Sequence, residues 1–203
     1  MIQQLLDEVN AEEGYGVFLM AQMDSTPDTL QFIIATTEFD ETVNGLRDKH
    51  RYIVRCIGVQ EHHISLGIFK HMSIKQKEEH PLLYQYNAPP VGLFFRGTPT
   101  DTNELVLDIF QGYASTFGQW RQIPEYMNVS KPLVDIFSGG GDLVGEMPKP
   151  LADRLDKVIK HHQLETKMIE GERHKEMPYM KALLMDESYI VAIDFSVDEL
   201  GKA

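Results

Sequence analysis

Five of the eight histidines fall between positions 50 and 80: His50, His62, His63, His71 and His80. Imidazoles with carboxylates such as Glu61 or Glu79 nearby are the residue types that hold zinc or iron. Their spacing works against that chemistry. His62 and His63 are adjacent, so on a strand they point to opposite faces. No His-x-x-x-His, His-Glu-x-x-His or Cys-x-x-Cys pattern occurs anywhere in the chain. The expectation is solvent-exposed turn histidines on a hairpin, with no metal and no other cofactor. His161 and His162, at the end of a helical pattern, read as imidazoles placed against the carbonyl end of a helix dipole.

Phosphate chemistry is the next possibility, raised by "FSGGGDLVGEMP" at 137–148. A P-loop needs a lysine and a hydroxyl after its last glycine, to neutralise phosphate and to hold magnesium. Gly140 and Gly145 have the spacing, but Glu146 and Met147 follow. A carboxylate there repels phosphate. The dinucleotide fingerprint also fails, because its third glycine falls on Val144. Pro148 and Pro150 further delay the helix whose N-terminal amides either motif requires. The glycines are therefore expected to form a left-handed helix end and a turn, acting as connector or lid.

Nucleophilic catalysis has few candidates. Cys56 lies in an apolar strand pattern, where burial makes a thiol inert. No Gly-x-Ser-x-Gly elbow occurs, and Ser138 precedes the glycines instead of sitting between them.

The remaining constellation is aromatic and central. "LLYQYNAPPVGLFFRG" at 82–97 carries Tyr84 and Tyr86, which share a face if the segment is a strand. Arg96 ends the apolar run, and "GQWRQIPEY" adds Trp120, Arg121 and Tyr126. Two arginines among amphipathic aromatics suit a groove for a small anionic ligand, a peptide or a partner protein. The plainer alternative is packing, with Arg96 paired to an acid such as Asp101.

Several elements must position these groups. Ile2, Leu5, Leu6 and Val9 form an apolar helical stripe ended by Gly14. Segments 15–23 and 30–38 read as antiparallel strands around "DSTPDT". Segments 51–59 and 64–70 read as a second hairpin through the turn "QEHH". Residues 80–90 read as a strand or extended arm punctuated by prolines, and 91–95 as a short strand. Asp101 with Glu104 marks a capped helix start, followed by Leu105, Val106, Ile109, Phe110, Tyr113 and Phe117 at helical spacing. "KPLVDIF" reads as a short helix, 150–162 as a longer one and 164–170 as a strand. "KALLM" and "YIVAIDF" form a final hairpin, with Ser196 and Glu199 capping a last helical turn. Together these predict an α+β fold, mostly antiparallel sheet in several hairpins, with amphipathic helices packed on one face. Residues 1–203 are expected to be one cooperative domain, with 138–149 as the place of any subdivision.

Charge narrows the partners. The net charge of −12 is spread along the chain, with no basic stripe to attract nucleic acid or anionic membrane. A single cysteine, no apolar run of membrane-spanning length and no basic-then-apolar leader fit a cytoplasmic protein. Without a catalytic motif, the sequence points to a binding or regulatory protein. Its aromatic–arginine surface would take a partner or a second copy of the chain as a homo-oligomer. The alternative is an enzyme whose site gathers separated residues near Arg96 and Asp101, with the 138–145 turn as a lid.

Overall fold

The computed structural model describes every residue except 24, 25, 43, 122–125, 129, 174–176 and 203, together with the side chain of 202. The first helix forms where the stripe predicts. It is α1 (Ile2–Val9), with Leu5 and Val9 buried. It ends at Asn10, whose side-chain amide donates to the Met72 carbonyl at 2.8 Å and accepts from the Met72 amide at 3.0 Å. That clasp ties the helix end to a strand 62 residues away.

Strands β1 (Gly14–Met23), β2 (Thr29–Asp40) and β3 (Gly45–Ile57) follow as an antiparallel meander. β-Branched and aromatic residues dominate their inner positions, including Phe32, Ile34, Tyr52 and Val54. The expected second hairpin does not form. Glu61–His63 is a strand, β4, and not a turn. Strand β5 (Ile68–Phe69) pairs with β1, and β6 (Met72–Gln76) follows it. Segments 51–59 and 64–70 therefore go to different neighbours.

The chain divides into two compact units. One comprises Met1–Gln76 with Pro178–Ala203, and the other Lys77–Met177. In the first, β10 (Lys181–Met185) and β11 (Ser188–Ala192) form the expected hairpin. Residues 194–202 are a strand, β12 (Asp194–Lys202), and not a capped helical turn. Its pairing with β3, Val197 opposite Val54, overrides the local Ser196–Glu199 signal. The first unit thus holds two sheets, ordered β12-β3-β2-β1-β5 and β4-β11-β10-β6. Residues of both sheets and α1 share one apolar core.

The second unit enters and leaves between paired strands, since Gln76 of β6 lies opposite Lys181 of β10. It holds a 3-10 turn (Pro81–Leu83), α2 (Tyr84–Asn87), β7 (Pro90–Arg96), α3 (Thr102–Phe117), α4 (Leu133–Ser138), β8 (Gly141–Pro148), α5 (Lys149–His161) and β9 (Glu165–Glu170). Its sheet runs β8-β7-β9. Along β7, Val91, Leu93 and Phe95 alternate into a core shared with Leu105 and Ile109 of α3, Phe137 of α4 and Leu155 and Ile159 of α5. Asp101 caps α3 as expected, accepting from the Asn103 and Glu104 amides at 2.8 and 3.1 Å.

The described residues therefore make a mixed α+β molecule, mostly sheet, with three antiparallel sheets. The 138–149 stretch lies inside the second unit.

Candidate functional site

Residues 80–90 depart most from the strand expectation. Pro81 stands at the first position of a helical turn, where its missing N–H costs nothing. The His80 ring accepts from the Leu82 amide at 3.4 Å, and the turn runs on into α2. Tyr84 and Tyr86 thus stand on a short helix and not on one face of a strand. Leu82 and Leu83 are fully buried beneath them.

Tyr84 meets Phe117 edge-on at 6.0 Å, and Tyr126 stacks on the same Phe117 ring at 5.5 Å. The Tyr126 hydroxyl donates to Gln85 Oε1 at 3.0 Å. One buried phenylalanine therefore organises two half-buried tyrosines from segments about forty residues apart. With Tyr86 they line a cleft of about 230 Å³. Ala88, Pro90, Met147, Pro148 and Met177 supply its apolar walls, and Gln85, Glu146, Glu172 and Arg173 its polar groups. Burial, and next the nearby Glu78 carboxylate, push the Tyr84 phenol above its ordinary pKa, so it remains neutral.

Arg173 has a visible structural task. Its guanidinium donates to the carbonyls of Tyr86 at 3.3 Å and Met177 at 2.8 Å, fastening the segment after β9 to the end of α2. The glycine run also acquires a purpose. Gly140 follows α4 in a left-handed conformation (φ 82°), as expected of a helix end. From Gly141 onward, however, the chain is strand β8, paired with β7 from Arg96↔Gly141 to Pro90↔Pro148. Those ladder bonds hold 141–148 in the sheet. Gly145 is where the segment carrying Tyr126 crosses β8. A Cβ there would stand 2.1 Å from the Tyr126 carbonyl oxygen, inside contact distance. Asn128 holds the crossing through its amide to the Val144 carbonyl at 2.8 Å and its side chain to the Leu143 carbonyl at 3.0 Å.

Of the residues singled out from the sequence, Tyr84, Tyr86 and Tyr126 come together. Arg96, Trp120 and Arg121 do not line the cleft. Arg96 is exposed at the end of β7 and borders a separate cleft of about 400 Å³ with Phe94, Glu165, Lys167 and Ile169. It makes no ion pair among the described residues, and Asp101 is engaged in capping α3 instead. The Trp120 ring packs edge-on against His80 at 5.0 Å, and Arg121 follows it, half-buried. Glu172, Arg173 and Met177 carry no signal in the sequence, and Glu146 and Met147 figure there only as departures from a phosphate-binding loop. The pairing of Pro90 with Pro148 is what brings the two segments to one place.

In the first unit, His62 and His63 sit exposed on β4, with His63 stacked on Tyr189 at 6.0 Å. Among the described residues no group of three His, Cys, Asp or Glu is placed to hold a metal ion. Cys56 is fully buried, which pushes its thiol up to about 12.

One polar cluster stands apart from the cleft. Glu8 of α1 accepts from Thr36 Oγ1 at 2.6 Å, Tyr52 Oη at 3.0 Å and Gln4 Nε2 at 3.1 Å, and meets His50 Nδ1 at 3.0 Å. Burial alone would raise its pKa, but the four hydrogen bonds together outweigh burial and hold it below the ordinary value. Tyr52 is pushed well up by its own burial and by Glu8. The cluster fastens α1 to β2 and β3.

No protein-family model, curated protein or solved structure matches this chain.

Proposed function

We propose that this chain is a protein-interaction protein whose second unit receives a short extended segment of a partner in the tyrosine cleft. The observation that carries this reading is the cleft itself. Tyr84, Tyr86 and Tyr126 present half-buried rings beside Met147, Pro90 and Pro148, with polar groups confined to a few positions. Rigid amphipathic aromatics beside an adaptable methionine give contact area at low entropic cost, which suits peptide recognition. Glu146 and Glu172 at the cleft turn the reading away from a small anionic ligand. In the same reading, the amphipathic helices α3 and α5 cover one face of the β8-β7-β9 sheet, supported by the alternate burial along β7.

Selection of displayed random dodecapeptides on the intact protein tests this. The expected result is an enriched peptide class whose binding falls at least tenfold with Tyr86→Ala. The reading is overturned by no enrichment, or by peptides that bind the wild-type and Tyr86→Ala proteins equally.

A further inference from the structure

We infer that this chain forms a dimer by pairing strand β9 with β9 of a second copy, a contact independent of the tyrosine cleft. β9 is an edge strand, since the sheet runs β8-β7-β9. Its register with β7 fixes which of its backbone groups are already bonded. The Gly171 amide donates to the Pro90 carbonyl at 2.8 Å, so these two residues oppose each other at a hydrogen-bonded position. Antiparallel ladders alternate, which places Ile169, Lys167 and Glu165 in the same class, bonded to Gly92, Phe94 and Arg96. The N–H and C=O groups of Thr166, Met168 and Glu170 therefore point away from β7. Among the described residues no backbone partner meets them. Met168 and Ile169, one on each face of this edge, are exposed.

A bare row of donors and acceptors is a template for another strand. The residues of β9 suit its own copy. Across a twofold antiparallel contact, outward-bonding residues must oppose outward-bonding residues. The register that engages all three on both strands centres on Met168. It sets Thr166 opposite Glu170 of the partner subunit, Lys167 opposite Ile169 of the partner subunit, and Glu165 opposite Gly171 of the partner subunit. No like charges stand face to face, and the two lysines come only diagonally across. A slip one way would set Lys167 against Lys167 of the partner subunit and lose the Glu170 pair. A slip the other way would lose the Thr166 pair. With six residues a side the contact is small. It should be reversible, with a dissociation constant above about 1 µM.

Sedimentation velocity of the intact chain over a concentration series tests this. The wild-type protein should pass from monomer to dimer between about 1 and 500 µM. Met168→Pro removes the outward amide on the twofold axis and spares the β7 ladder, at a position where an edge strand tolerates proline. It should raise the dissociation constant about tenfold or more, while Trp120 fluorescence shows the second unit still folded. Two charge variants read the register without touching the backbone. Ile169→Glu sets a carboxylate opposite Lys167 of the partner subunit, and Ile169→Lys sets a second ammonium there. The first should dimerise about tenfold more tightly than the second, and high salt should close that gap. A chain that stays monomeric up to about 500 µM overturns the inference. Equal dimerisation of the two charge variants, or a dimer untouched by Met168→Pro, would place the contact elsewhere and refute it. Should Met168→Pro fail to fold, the charge pair alone decides.

Discussion

Replacing Glu8 by alanine probes how the first unit is held together. Thr36 and Tyr52 are fully buried, and both direct their hydroxyls at the Glu8 carboxylate. Leaving a buried hydroxyl without an acceptor costs about 1–3 kcal/mol. Tyr52 has no other acceptor among the described residues and should contribute about 2 kcal/mol. Thr36 keeps the His50 carbonyl at 3.4 Å as a weak alternative, so it should contribute about 1 kcal/mol. Gln4 is exposed and adds nothing. The total, about 3 kcal/mol, should lower the urea midpoint of the first unit by about 1–3 M. Glu8→Gln retains one acceptor oxygen but turns an amide donor toward the other hydroxyl, and should lose about half as much.

Acid should mimic the substitution. The folded-state pKa of Glu8 lies below its unfolded value, so its contribution is complete above the ordinary glutamate pKa and drains away as pH falls through the lowered folded-state one. Far-UV circular dichroism would follow both units, while the single tryptophan, Trp120, reports the second. A loss under 1 kcal/mol for Glu8→Ala, or an unaltered acid dependence in Glu8→Gln, would refute the reasoning, since water would then be replacing the carboxylate without cost.

Three further outcomes are expected. Gly145→Ala must displace the Tyr126 backbone. It should cost the second unit about 1–3 kcal/mol and abolish peptide binding, read by thermal melting and by titration; an unchanged cleft would show that the crossing can relax. Cys56 should resist a maleimide at pH 8 in the folded protein, because it is buried and its thiol is pushed up to about 12. Its labelling rate, followed by mass spectrometry, should rise with urea in step with loss of the first unit, and prompt labelling without denaturant would contradict the burial. Finally, removing residues 77–177 and joining Gln76 to Pro178 by a short glycine-rich turn should leave a cooperative β-rich melt, because the flanking strands are already paired. A chain that is unfolded by circular dichroism would show that the first unit depends on the second.

Local elements were readable because their signals are local. Asp101 and Glu104 announce α3, and the spacing of Leu105, Ile109, Tyr113 and Phe117 describes its buried face. Pairing was not readable, because β3–β12 and β6–β10 join residues more than a hundred positions apart. Ser196 and Glu199 resemble a helix start until β3 is available as a neighbour. At 84–86 the two-residue spacing of the tyrosines imitates a strand, whereas Pro81 after His80 begins a helical turn. The cleft was half legible. Its tyrosines were singled out, but grouped with arginines that the fold sends elsewhere, and Arg173 joins them only because β9 returns beside β7. Gly145 could not be explained from neighbouring residues, since its crossing partner lies nineteen positions away.

The register that sets Gln76 opposite Lys181 also has a consequence for biosynthesis. A ribosome delivers the chain from its N-terminus, so Lys77–Met177, a contiguous stretch, can complete its own sheet as soon as it emerges. Of the strands made earlier, β4 and β6 must meanwhile wait for β11 and β10, and β3 for β12. Until then β3 has an open edge where β12 belongs, and Tyr52, Val54 and Cys56 lack part of their covering. That exposed edge during translation is where a chaperone would be needed and where a truncated chain would aggregate.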